Sequence, residues 1–174
     1  MNPYRRLSHR EIYRNPWLAV EVHDIVHPTG VPGAHLLVVP APPVAVLVED
    51  GEAFIFVTQP RFAAQREVLE VVKGGAGEHE TPLAAAQREL REELGLEAAH
   101  WESLGEIYEI PSIVAHRVGL FLASGLSAVE ASPEDVESIA AVRIPIEEVL
   151  GAARSGEIED AVTLATLFRY LMRP

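Results

Sequence analysis

The run from Pro82 to Leu94 is bounded at both ends by residues that start and stop a helix, and it crowds three glutamates onto one side. Thr81 can cap the N-terminus. Pro82 fits the first helical position, where a missing N–H costs nothing, and Gly95 can take the left-handed turn that closes a helix. Between them Ala, Leu, Glu, Gln and Arg predominate, all good helix formers. At about 100° per residue Leu83, Ala86, Leu90 and Leu94 share an arc, which predicts the face a core covers, while Glu89, Glu92 and Glu93 share a neighbouring one. Like charges at i, i+3 and i+4 cost a few tenths of a kcal/mol or roughly that per pair in an isolated helix. Arg88 can pair with Glu92 at i+4, yet one guanidinium cannot neutralise three carboxylates, whereas a hard divalent cation with oxygen ligands can. A solvated acidic face is the plain alternative. Against it stands the loop just before the helix, where Gly74, Gly75 and Gly77 allow positive φ and close approach of the backbone to a ligand.

Gly74, five residues, Glu80, seven residues, Arg88-Glu89-Leu90, one residue, Glu92-Glu93, one residue, then Gly95-Leu96 fills nine fixed positions over 23 residues. This resembles the Nudix box, G-x5-E-x7-R-E-U-x-E-E-x-G-U with U aliphatic, at every constrained position. The resemblance implies a Nudix hydrolase: an α+β protein with the Nudix α/β/α sandwich, a mixed sheet and an N-terminal β-hairpin extension. Three further features are similar to the branch of ADP-ribose pyrophosphatases and nucleoside-diphosphate-sugar hydrolases. They are Gln59 and Arg61 ahead of the box, Pro111 beyond it, and the run Gly156 to Ala161 near the C-terminus.

With 174 residues, 48% of them hydrophobic, the chain suits one domain with a full core and an N-terminal addition, not a disordered chain. We divide it into residues 1–43, an arm and hairpin, and residues 44–174, the hydrolase domain. A net charge of -12, from 26 acidic against 14 basic residues, argues against a nucleic-acid polymer as partner. It leaves room for a small phosphate substrate, because a bound metal inverts the local field. No cysteine is present, which rules out disulfides and thiolate metal sites. No apolar run is long enough to span a membrane or to serve as a signal, so we expect a soluble cytoplasmic protein.

Taken in order, Met1 to Pro16 reads as a polar, basic arm, and Trp17 to Val26 with His35 to Val39 as a hairpin around the turn residues His27 to Gly33. Strands follow at Val44 to Val48, Phe54 to Thr58 and Val68 to Val72, with a loop from Gln59 to Phe62. Beyond the box we expect strands at Trp101 to Ile110, Ala115 to Leu122 and Ser138 to Ile144, with a loop from Ser124 to Pro133. A short helix from Glu147 to Arg154 ends at Gly156. A last one, capped by Asp160, presents Ala161, Leu164, Leu167, Phe168 and Leu171 on one face.

The resemblance implies site residues as well. A diphosphate is anionic and repels both attacking water and the carboxylates around it, so Mg2+ or Mn2+ comes first in the chemistry. Glu89 and Glu93 are the implied direct ligands, Glu92 a ligand directly or through water, and the Lys73 carbonyl the main-chain ligand. Glu80, Arg88 and Gly95 hold the motif together. The base that activates water is implied to come from the acidic loop after the box, where Glu130, Glu134, Asp135 and Glu137 stand. Glu137 is favoured as base or extra ligand, then Glu134, with Glu92 a third catalytic candidate.

Substrate contacts are sought at Gly74 and Gly75, at Glu70, at Arg61, whose guanidinium forks onto phosphate, and at Trp17, whose indole can stack on a base. Each has an ordinary alternative: Glu70 as a strand-edge charge, Arg61 as a surface cation, Trp17 as core or dimer packing. Similar enzymes dimerise through the front hairpin, which implies a homodimer with Trp17 reaching across to its partner. The seven histidines show no ligand spacing. His116 and Arg117 stand where relatives carry acidic residues, and this departure weakens the inference to ADP-ribose more than the inference to the reaction.

The expected activity is hydrolysis of a nucleoside diphosphate linked to another moiety, ADP-ribose or an ADP-sugar first, to NMP and a sugar phosphate. The alternatives are a dinucleotide, NADH or a GDP-sugar as substrate, or a non-catalytic nucleotide sensor.

Overall fold

The computed structural model describes residues 3–129 and 138–173. Its elements are β1 (Arg5–Arg14), β2 (Leu18–Val26), β3 (Pro32–Pro40), β4 (Pro43–Asp50), β5 (Ala53–Arg61), β6 (Arg66–Glu70), β7 (Val72–Gly75), α1 (Pro82–Leu94), β8 (Leu96–Ile107), β9 (Val118–Ala128), β10 (Ala140–Pro145), α2 (Ile146–Ser155) and α3 (Ala161–Leu171). A seven-stranded mixed sheet runs β10-β5-β4-β9-β8, with β6 paired to β5 and β7 to β4. Among the described strands of this sheet only β4 and β9 pair in parallel. The α+β architecture expected from the sequence is the one found.

β4 explains the layering. Its side chains alternate: Ala45 and Leu47 enter one core with Phe54, Phe56, Val149, Ile158, Val162 and Leu167, while Val44, Val46 and Val48 enter another with Ala85, Ala86, Leu90 and Phe121. A strand buried on both faces reads as the continuous apolar run that this stretch is. Helix α1 therefore covers one face, and α2 and α3 cover the other. The caps of α1 form as read: Thr81 accepts from the Ala84 N–H, and Gly95 adopts φ 61°, ψ 39° and donates to the Arg91 carbonyl.

Several expectations need correction. The N-terminal residues are not an arm: Arg5–Arg14 pair along β2 in a three-stranded sheet β1-β2-β3. All ten β1 residues are exposed, so no alternation of apolar and polar marks the strand. Gln59 to Arg61 lie within β5, paired to β6, and not in a loop. The run Val68 to Val72 changes partner at Val71, from β5 to β4. β8 starts at Leu96 and β9 ends at Ala128, beyond the expected limits, while β9 begins only at Val118.

Two helix faces differ as well. Leu83 is exposed and Ala85 buried, because the covered side of α1 is rotated toward Ala85, Ala86 and Leu90. On α3 the buried residues are Val162, Thr163, Thr166 and Leu167, whereas Leu164, Phe168 and Leu171 face outward. The threonines can be buried because each hydroxyl has a partner: Thr166 donates to the Val162 carbonyl, and Thr163 accepts from the Val71 N–H.

Candidate active site

The glycine loop and α1 meet at Gly74. Strand β7 places Gly74 opposite Val44 of β4, and a Cβ at this position would lie 1.9 Å from Cδ of Glu89 and 2.0 Å from its Oε1. Only glycine leaves that carboxylate where it is. Arg88, next to it on α1, ties helix and loop together. Its Nε and Nη2 donate to the two oxygens of Glu80, both at 3.1 Å. Nη1 donates to Glu89 Oε1 and to Glu92 Oε2, each at 2.7 Å, and Nη2 also reaches the Gly75 carbonyl at 2.7 Å. Glu80 in turn accepts from the Gly77 N–H at 2.8 Å. Glu93 turns inward with Oε2 shielded from solvent, and its charge acts on the Arg61 guanidinium.

Three carboxylates, Glu80, Glu89 and Glu92, thus bond one guanidinium at a glycine loop. The hydrogen bonds that Arg88 donates to Glu80, Glu89 and Glu92 hold it far above the range in which it could lose its proton. Hydrogen bonds from Arg88 and then from the Gly77 N–H hold the Glu80 carboxyl below its ordinary value. The cluster keeps an excess of negative charge on hard oxygen donors, with Glu89 set into the space a Cβ would fill. That donor set fits a hard divalent cation. Among the described residues no three acidic or imidazole side chains form a ready cage, and Arg88 engages three of the box carboxylates, Glu80, Glu89 and Glu92.

A cleft of about 900 Å³ opens on this cluster, lined by Lys73 to Glu80, Arg88, Glu89 and Glu92 on one side and by Trp17 with Pro40 to Pro43 on the other. The indole is 67% exposed, which removes the core-packing reading. Its place is fixed by the backbone: the Trp17 N–H donates to Asn15 Oδ1 and its carbonyl accepts from the Ala41 N–H. Trp17 lines the cleft of its own chain. A second cavity of about 240 Å³ lies on the other side of Gly74 and includes Arg61, Lys73, Glu109 and Val162.

Glu70 is buried, not a strand-edge charge. It accepts from Arg61 Nη2 at 2.6 Å and lies 3.1 Å from Lys73 Nζ. Burial would lower the Arg61 pKa, but the Glu70 carboxylate outweighs it and the guanidinium stays charged. Lys73 also donates to Asp160 Oδ1 at 2.9 Å. The sequence does not reveal this link: Asp160 reads there only as a helix cap and Lys73 only through its carbonyl, and nothing local signals a contact across 87 positions. Arg117 turns away from the cleft toward Glu106 and the Tyr108 ring. Glu130, Glu134, Asp135 and Glu137, the candidate bases, lie outside the described residues.

The depressed carboxyls set a pH dependence. Burial raises the Asp160 pKa, but Lys73 and the Thr163 hydrogen bonds outweigh it and leave it below the ordinary value. A folded pKa below the unfolded one contributes stability that is present above the unfolded value and lost as pH falls through the folded one. Urea midpoints should therefore change little from pH 7 to pH 5 on account of Glu80 and Asp160, and fall below about pH 4. Glu80→Gln should reduce that acid dependence, and an unchanged acid slope would contradict the Glu80 contribution.

Two family models match the chain: the NUDIX domain over residues 39–167, and the nucleoside diphosphate sugar hydrolase N-terminal domain over residues 4–35. The ADP-ribose pyrophosphatase of Bacillus subtilis (strain 168) is 29% identical over 170 residues, covering 96% of this chain and 91% of that protein. The methanol dehydrogenase activator of Bacillus methanolicus is 25% identical over 163 residues, 92% of this chain and 88% of that one. The crystal structure of an ADP compounds hydrolase superposes with a TM-score of 0.84 at 20% identity, over 96% of this chain and 91% of that one. The match over residues 39–167 contains the whole box and the sheet that carries it, so the chain belongs to the NUDIX domain family, as a Nudix hydrolase similar to ADP-ribose pyrophosphatases.

Proposed function

We propose that this hydrolase uses Mg2+ or Mn2+ to cleave the diphosphate of a nucleoside diphosphate joined to another moiety. ADP-ribose or an ADP-sugar is the leading substrate, and NMP with a sugar phosphate are the products. The observation that carries this reading is the set of three carboxylates, Glu80, Glu89 and Glu92, around Arg88 at the glycine loop, in one cleft with an exposed indole. The name of the Bacillus subtilis relative supports ADP-ribose.

In this reading Glu89 and Glu93 hold the cation, Glu92 joins directly or through water, and the Lys73 carbonyl completes the protein's share. When bound, the ion offsets phosphate charge, polarises phosphorus and lowers the pKa of water. Arg88 fixes the carboxylates against the Gly75 carbonyl, so their geometry is set before substrate arrives. Arg61, half-exposed beside buried Glu70, presents donors to a phosphate. Glu137, or else Glu134, takes the proton from water. Water adds to one phosphorus, the bridging P–O bond breaks, and each product leaves as a phosphate monoester.

Trp17 stacks on the base. Trp17→Ala should raise KM for ADP-ribose about 10- to 100-fold, the worth of one base–aromatic stack, with kcat little changed. An unaltered KM would remove the stacking. We also propose a homodimer through the β1-β2-β3 sheet, whose edge strand exposes Leu7, Ile12 and Tyr13. Sedimentation at micromolar concentration should give a dimer. A monomer would contradict it, leaving stacking from within the chain.

The substrate itself is tested by a panel of nucleoside-diphosphate derivatives with phosphatase-coupled phosphate detection, in Mg2+ and separately in Mn2+. ADP-ribose or an ADP-sugar should show the highest kcat/KM. A dinucleotide, NADH or a GDP-sugar in front would overturn the choice, and tight binding without turnover would make the protein a sensor.

A further inference from the structure

We propose that Asp160, on the far face of the sheet from α1, is a positioning residue for the box: through the Lys73 ammonium it holds β7 at the spacing that Gly74 and Glu89 require. The inference rests on the metal-site reading above.

The segment from Val71 to Gly75 is gripped at every second residue. The Val71 N–H donates to Thr163 Oγ1 at 3.0 Å, Lys73 Nζ donates to Asp160 Oδ1 at 2.9 Å, and the Gly75 carbonyl accepts from Arg88 Nη2 at 2.7 Å. The first two grips come from α3 and its cap, the third from α1. Successive strand residues project to opposite faces. Lys73 accordingly reaches toward α3, while position 74 faces α1, where its missing Cβ leaves room for the Glu89 carboxylate. A shift of β7 along the normal to the sheet therefore changes the gap in which Glu89 sits.

Asp160 is built for this. Its Oδ2 accepts from both the N–H and the hydroxyl of Thr163, at 2.8 and 2.7 Å, which fixes the carboxylate at the start of α3 and aims Oδ1 at Lys73. Lys73 lies between Asp160 and Glu70, and Glu70 also binds Arg61, so charges alternate along Arg61, Glu70, Lys73 and Asp160 and sum to zero. Lys73 and Asp160 are largely buried, their side chains 18% and 14% exposed. Charge-assisted hydrogen bonds there are stronger and stiffer than at the surface. A simple cap needs only the Thr163 N–H. The contact to Lys73 is additional to capping, and it leads directly to the residue preceding Gly74.

The test uses Asp160→Asn, Lys73→Met and Lys73→Arg in the full chain, with Mn2+ titrated calorimetrically in the absence of substrate. Asn caps a helix as well as Asp, but it presents no charge to Lys73. Asp160→Asn and Lys73→Met should each weaken Mn2+ binding and lower kcat about 10-fold or more, in the range found for residues that orient metal ligands, with KM within about twofold. The double variant should be no worse than either single one, and Lys73→Arg should recover most of the loss. Mn2+ affinity and kcat within about twofold of the parent in both variants, whatever the melting temperature, would overturn the inference. Should Asp160→Asn fail to fold, Lys73→Met decides alone by the same criteria. Glu89→Gln separates the two levels: if it abolishes Mn2+ binding while Asp160→Asn and Lys73→Met leave affinity and kcat within about twofold of the parent, only the positioning role falls. If Glu89→Gln leaves Mn2+ binding intact, the metal site itself is wrong.

Discussion

Glu89→Gln and Glu93→Gln should each lower kcat for ADP-ribose about 10²- to 10³-fold, the worth of roughly 3–4 kcal/mol of barrier. Both variants should melt within a few degrees of the parent. Glutamine keeps the size of the side chain, and at position 89 its carbonyl oxygen can still accept from Arg88 Nη1, which now donates to Glu89 Oε1 at 2.7 Å. What it removes is a negative charge from a cluster with more carboxylates than cations, so repulsion within α1 falls as cation affinity falls. The effect should therefore appear in kcat and Mn2+ affinity and not in folding, measured by initial rates, calorimetry and circular-dichroism melting. Wild-type rates in both variants would refute the assignment of these carboxylates.

Gly74→Ala should reproduce most of that loss by sterics alone. The new methyl would lie 1.9 to 2.4 Å from the three carboxyl atoms of Glu89. The obstructing atoms are the far end of a flexible side chain, so Glu89 can swing away at a cost of about 1–3 kcal/mol in stability. Its carboxylate then no longer stands beside the loop, and kcat should fall about 10²-fold with the fold intact. Gly77→Ala is the control in the same loop: its nearest neighbour, Glu80 Oε2, is 3.5 Å away, an ordinary contact. A Gly74→Ala enzyme with full activity would mean that Glu89 need not occupy the place it has beside the loop.

How much of this could be read from the chain follows from how far apart the interacting residues stand. Thr81, Pro82 and Gly95 mark α1 within a few positions of the bonds they make, and Glu92 meets Arg88 through helical spacing. Long-range pairs leave no such mark. Lys73 finds Asp160, and Val71 finds Thr163, only because β4 brings β7 into the sheet and α3 packs on its other face. β1 escaped notice because both its faces are exposed, so backbone pairing with β2 defines it and no side-chain period does. On α3 hydrophobicity pointed to the wrong face: Thr163 and Thr166 are buried with satisfied hydroxyls, while Phe168 is outside. Trp17 stands out in the sequence as an aromatic that can stack on a base, but its position on the cleft of its own chain depends on the Ala41 backbone pairing, which no local pattern encodes.

The most direct test of the account is product analysis after incubation of the protein with ADP-ribose and Mg2+. Ion-exchange chromatography should show AMP and ribose 5-phosphate forming in equal amounts, with chelator stopping the reaction and Glu89→Gln almost abolishing it. Undiminished ADP-ribose at high enzyme concentration, in Mg2+ and in Mn2+, or product formation that neither chelator nor Glu89→Gln affects, would contradict it.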